Sequence, residues 1–205
     1  MEFQHRFVKY KGGEANQLAR WQLISKELEF SEAQLEMALS KFKDIERQIF
    51  LDRRDPEGVM IKSLIDSAIV GYIKCFNQTK GRKVKLEVRD FFPLPKCKKL
   101  HDHHVKVREL RDSYIAHAGI SKNEGSKMVA CYDRAVPLGK SEKVVIAHSY
   151  FSVPSLEFIE DTLCLVQFVK DRHVKNQQEK LNDFCERVLS DPVKYGVEGI
   201  FNLSI

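Results

Sequence analysis

The heptapeptide Arg111-Asp112-Ser113-Tyr114-Ile115-Ala116-His117 holds the residues of this chain best suited to chemistry on a phosphate. Histidine can take up or release a proton near neutral pH, because its unperturbed pKa lies near 6.5. Arginine carries a permanent charge on a planar fork that matches phosphate oxygens, and so suits a transition state in which charge builds on phosphorus-bound oxygen. Neither role calls for a metal. The same residues also fit a plainer reading, a helix end whose negative pole is met by a cation and whose surface carries an Arg–Asp pair.

The surrounding charge distribution bears on that choice. Residues 80 to 111 contain eleven Lys or Arg against four Asp or Glu, a local balance of +7 in a chain whose net charge is +5, so the remainder is −2. A basic stretch inside a nearly neutral protein is the footprint of a phosphate-binding surface, and equally of a solvated loop and helix face. Lys80, Arg82, Lys83, Lys106 and Arg108 are the candidate phosphate-binding cations. His104, Arg108, Arg111 and Ile115 fall on one helical face, a row that would guide a phosphate-bearing ligand toward the motif.

The motif, Arg-Asp-Ser-Tyr-Ile-Ala-His-Ala at the end of a helix in a helical chain, resembles the Arg-polar-x(3–5)-His signature of the HEPN superfamily, in the branch of abortive-infection proteins. That resemblance implies a metal-independent endoribonuclease, a toxin or phage-defence effector, with Arg111 and His117 as the catalytic pair and Asp112 in the polar position that steadies them. It also implies a homodimer with RNA as substrate, regulation by a protein antitoxin, and no cofactor. Two features depart from common family patterns: Gly119 stands where some members carry a tyrosine that accepts a nucleotide, and Asp112 replaces the frequent asparagine, adding negative charge beside the phosphate. A catalytically silent HEPN-like homodimer that binds RNA or a protein partner is the alternative.

Geometry constrains the motif further. On a regular helix His117 sits about 120° around from Arg111, so either the helix end bends or two copies meet at a two-fold axis with both motifs in one cleft.

The elements that must hold this motif follow from hydrophobic spacing. The expected fold class is mainly α, a HEPN-like helical bundle with a β-hairpin inserted between the motif helix and a long C-terminal helix, in one domain over residues 1–205 with its core at about 31–190. Ser31 and Gln34 suggest a capping box opening a helix whose stripe runs from Leu35 to Phe50, with a separate upstream helix around Glu14 to Leu28. A second helix is expected from Val59 to Asn77, its core face including Ile61, Ile65, Tyr72 and Phe76. Within it Asp66 is an isolated carboxylate that either reaches the motif helix or faces water. After Pro93 and Pro95 the motif helix should run from Lys98 to about His117. Residues 126–133 and 143–151 read as the hairpin, and Pro154-Ser155 opens the last helix, ending near Ser190-Asp191-Pro192.

Other chemistry finds little support. His101 and His104, three residues apart, would supply two metal ligands, which do not make a site. The five cysteines lie more than twenty residues apart, so no redox pair or zinc spacing occurs. With no secretory signal and no apolar run long enough to span a bilayer, a cytoplasmic location is expected, without membrane attachment.

Overall fold

A computed structural model describes residues 5–10, 12–45, 56–78, 80–112, 125–131, 143–149, 154–190 and 197–203. Five helices pack as a bundle: α1 (Gly13–Ile45), α2 (Pro56–Phe76), α3 (Val88–Phe91), α4 (Lys98–Leu110) and α5 (Leu156–Ser190). α1 lies against α2 and α5, while the shorter α4 rests on α2 and α5. No helix of the described residues is long and apolar enough to cross a membrane.

α1 is one continuous helix of 33 residues, where two had been expected. Its buried positions Ile24, Leu28, Ser31, Leu35 and Ala38 form a single stripe that passes through Ser31 without a change of phase. Ser31 is therefore an interior residue, not a cap. Its hydroxyl donates to the Glu27 carbonyl at 2.8 Å, one turn back. The serine also marks the tightest approach of α1 to α2, since a Cβ added to Gly71 would sit 2.6 Å from Ser31 Oγ. A side chain at residue 71 would force the Ser31 hydroxyl to turn away from that position.

α2 begins at Pro56, earlier than the expected Val59, because proline fits the first turn, where no intrahelical amide partner is needed. Tyr72 and Phe76, read as core residues, are buried. Asp66 finds its partner on its own helix, an ion pair with Lys62 one turn earlier, and not on the motif helix. After α2 the chain turns at Lys83, whose φ of 59° is left-handed. Val84, Leu86, Phe91 and Phe92 then bury against the bundle, with the short α3 formed just before the prolines.

α5 starts where expected. Ser155 Oγ accepts the Phe158 amide at 3.3 Å, a standard N-cap arrangement. The helix buries Ile159, Leu165, Val166 and Val169 against α1 and α4. The core thus reaches back to Ile24, beyond the expected boundary at residue 31.

Backbone pairing joins β2 (Gly125–Cys131) to β3 (Lys143–Ser149) in an antiparallel ladder, Met128 opposite Ile146. β1 (His5–Tyr10) pairs with β4 (Val197–Leu203) in a second ladder, which was not expected from the residue pattern.

Candidate functional site

α4 carries two kinds of chemistry on thirteen residues. Leu100, His103, His104, Val107 and Leu110 follow helical spacing on the face turned to the core, so two histidines occupy positions where apolar side chains would be usual.

His104 is only 2 % exposed and sits among Tyr72, Phe76 and Phe92, with ring centroids 5.7, 4.7 and 5.2 Å away. Its Nδ1 shares a hydrogen bond of 2.9 Å with the Tyr72 hydroxyl. Its Nε2 is buried with no hydrogen-bond partner among the described residues. Burial in this aromatic box lowers the imidazole pKa to about 4, helped by the positive charge of Arg108 and by His101. The same burial raises the Tyr72 hydroxyl well above its ordinary value. Both groups are neutral at pH 7. His104, expected in the RNA-facing row, is therefore a core residue whose imidazole a bound RNA cannot reach.

His103 is buried beside it and points to α5. Its Nε2 lies 2.9 Å from Thr162 Oγ1, and that hydroxyl donates to the Phe158 carbonyl at 2.7 Å. With the hydroxyl proton already committed, Nε2–H must be the donor to Thr162, which sets the neutral tautomer. Burial lowers the His103 pKa, partly offset by the nearby Asp161 carboxylate. This link between α4 and α5 escaped the sequence reading, although the apolar spacing around His103 pointed inward.

Beyond Val107 the helix changes character. Arg111 and Asp112 extend it through a wider, π-type turn, a local irregularity often met at functional positions. Arg111 Nη1 donates to Asp112 Oδ1 at 2.8 Å, and Arg108 Nε lies 3.8 Å from Asp112 Oδ2. One carboxylate thus stands between two guanidinium groups, all three partly exposed. The Arg111 amide is shared between the Arg108 and Val107 carbonyls, so the main chain here is held. His117 lies outside the described residues, as do Ser113 to Ala116 and Gly119.

The remaining expected RNA contacts divide. Lys80 and Lys83 are exposed on the turn after α2, and Lys106 is exposed on α4. Lys106 stands about 140° around the helix from Arg111, so the two do not share a face. Arg82 is a correction: it is 8 % exposed and closes the C-terminus of α2, donating to the Lys74 carbonyl, to Asn77 O at 3.4 Å and to Val84 O at 3.2 Å. Carbonyls at a helix end have no intrahelical partner, and a guanidinium fork can serve several at once. A phosphate would have to displace those bonds.

Among the described residues no group of three His, Cys, Asp or Glu side chains is placed to hold a metal ion. His101 Nδ1 lies 3.6 Å from Asp102 Oδ1, and His104 is turned into the core. The chain matches no protein-family model, no curated protein and no solved structure.

Proposed function

We propose that this chain is a metal-independent endoribonuclease of the HEPN type that works as a homodimer. Its fold would be the HEPN-like bundle with the β2–β3 hairpin inserted between the motif helix and α5. In this scheme the RNA 2′-hydroxyl attacks the adjacent phosphorus, its proton passes to the imidazole of His117, and the 5′-oxygen leaves and is protonated. Arg111 would hold the phosphate oxygens as charge builds on them, and Asp112 would steady the guanidinium. The products are a 2′,3′-cyclic phosphate and a 5′-hydroxyl. A role as a toxin or phage-defence effector, restrained by a protein antitoxin, follows from the resemblance alone.

The observation that supports this reading best is the Arg108–Asp112–Arg111 cluster at the widened end of α4, partly open to solvent and directly before the segment that carries His117. The exposed Lys80, Lys83 and Lys106 add a diffuse attraction for polyanions.

A second reading draws on the same cluster. The Asp112 carboxylate already engages the Arg111 fork and offsets its charge, which favours a catalytically silent homodimer that binds RNA or a protein partner. Incubating the purified chain with single-stranded RNA in EDTA separates the two. Cleavage products ending in 2′,3′-cyclic phosphate support the nuclease, whereas RNA retention without cleavage supports the silent binder.

A further inference from the structure

α1 presents a second stripe that the bundle does not use. Leu23, Lys26, Phe30, Ala33, Met37 and Ser40 alternate at spacings of three and four, and all six are exposed. The three large apolar members, spaced exactly seven apart in sequence, are 52 %, 64 % and 53 % exposed at Leu23, Phe30 and Met37. This stripe lies roughly opposite the buried one that runs through Ile24, Leu28 and Leu35. Large apolar side chains at every seventh residue occupy one of the two seam positions of a coiled-coil heptad, and their repetition along an exposed face marks an interaction surface.

The flanks of α1 are tied inward, which fixes the direction in which the seam faces. Toward α2, Glu27 pairs with Lys74 and Gln34 Nε2 donates to Ser67 Oγ at 2.8 Å. Toward α5, Glu32 pairs with Lys170, and Glu160 lies 3.8 Å from Lys43. The small Ala33 and Ser40 between the large residues allow close approach of a second helix.

We infer that α1 is a self-association surface whose occupant is the α1 of a second copy of this chain, in parallel and in register. Charge decides the orientation. In register and parallel, the flanking pairs are Gln22 with the partner's Glu27, Glu29 with the partner's Gln34, and Glu36 with the partner's Lys41: one attraction, made twice, against a single like-charge contact where Lys26 meets the partner's Lys26 in the seam. The antiparallel pairing that covers the same three apolar residues sets Glu29 against Glu36 and Arg20 against Lys41. Lys26, the one charged seam position, costs stability in this pairing, and Glu29, three residues on along its own helix, offsets part of that charge.

The seam is on a different element from the Arg111 motif, and the inference does not rest on the nuclease reading. Sedimentation of the full chain at micromolar concentration should give a dimer or a larger even assembly, and Phe30→Glu should halve that mass while the circular dichroism spectrum stays unchanged. Glu36→Lys should weaken association at least about tenfold by facing two lysines, and adding Lys41→Glu should restore it. With the exposed Cys164 and Cys185 replaced by Ser, Ala33→Cys should form a disulfide between copies, which only parallel, in-register pairing permits. A monomeric wild type, an unchanged mass for Phe30→Glu, or no crosslink at residue 33 overturns the inference. A Phe30→Glu monomer that still cuts RNA leaves the inference standing and refutes the two-chain nuclease site, whereas a dimer that neither cuts RNA nor changes with Phe30→Glu refutes both.

Discussion

The two ends of the face that α4 presents differ in what they ask of their polar groups. Around His104 every neighbour is aromatic, the imidazole is driven neutral, and its single hydrogen bond goes to another buried group, Tyr72. Two turns later Arg111 shares a carboxylate with Arg108 and is partly open to solvent. Histidine in the first setting is an architectural residue that happens to carry nitrogen. Arginine in the second is partly exposed beside another guanidinium and a carboxylate, a setting open to a ligand. Residue type alone does not distinguish a catalytic histidine from a core one; the neighbours that desolvate it do.

That contrast can be broken in several ways. The largest effect is expected at the exposed end, where Arg111→Lys should reduce RNA cleavage by about 10²–10³-fold, the loss typical of removing one positioned donor from a developing oxyanion. Its unfolding midpoint in urea should match wild type, because an exposed lysine can take the place without opening a cavity. Equal losses of activity and stability would mean that Arg111 is structural.

At the buried end, acid should act first. His104 has a folded pKa of about 4 against 6.5 when unfolded, so the unfolded chain binds more protons across that interval. Its contribution to stability is complete above pH 6.5, falls as the pH drops toward 4, and levels off below that, a change on the order of 3 kcal/mol. His103 and His173, also lowered by burial, act in the same direction. Urea titrations from pH 7.5 to 4 should show the decline, and the double replacement of Tyr72 and His104 by Phe should make it shallower, leaving the part that His103 and His173 supply. An unchanged slope in that variant would remove His104 from the account.

A smaller effect tests the hydrogen bond itself. Tyr72→Phe alone leaves Nδ1 of His104 buried without a partner and should cost about 1–3 kcal/mol, whereas replacing both residues by Phe removes both polar groups and should cost much less than the sum of the single changes. Additive losses in the cycle would show that the pair is not coupled. The smallest effects belong to the surface cations: Lys80→Ala and Lys83→Ala should each lower the salt dependence of RNA binding by roughly one unit in the log–log slope if they touch phosphate. Arg82→Gln should instead lower the unfolding midpoint with little change in that slope, since its fork is occupied by carbonyls.

Much of the bundle could be read from spacing. The core faces of α2 and α5 and the start of α5 at Ser155 follow directly from residue order, whereas Pro56, which opens α2, reads as a helix breaker as easily as a first-turn residue. The break expected at Ser31 failed because a Ser-x-x-Gln pattern serves equally well inside a helix, where the hydroxyl bonds back one turn and the small side chain lets Gly71 approach. Local signals of this kind cannot reveal that Ile24 and Leu28 continue the same stripe until the whole helix is laid out. At the site, the spacing Leu100, His103, His104, Val107 already placed both histidines on the core face, yet its titratable chemistry drew His104 into a ligand-facing row. Arg82 was misassigned for a different reason: charge density identifies cations but not the carbonyls that the turn at Lys83 brings to them. The expected helix end at His117 lies outside the described residues.

The central claim is best tested at that histidine. Purified His117→Ala, compared with wild type on the same RNA in EDTA, should lose cleavage by about 10²–10⁴-fold while keeping its helical spectrum, its mass in solution and its affinity for uncut RNA, because only proton transfer has been removed. If His117→Ala cuts as well as wild type, or if wild type cuts no RNA under these conditions, the motif is not a catalytic site and the silent-binder reading takes its place.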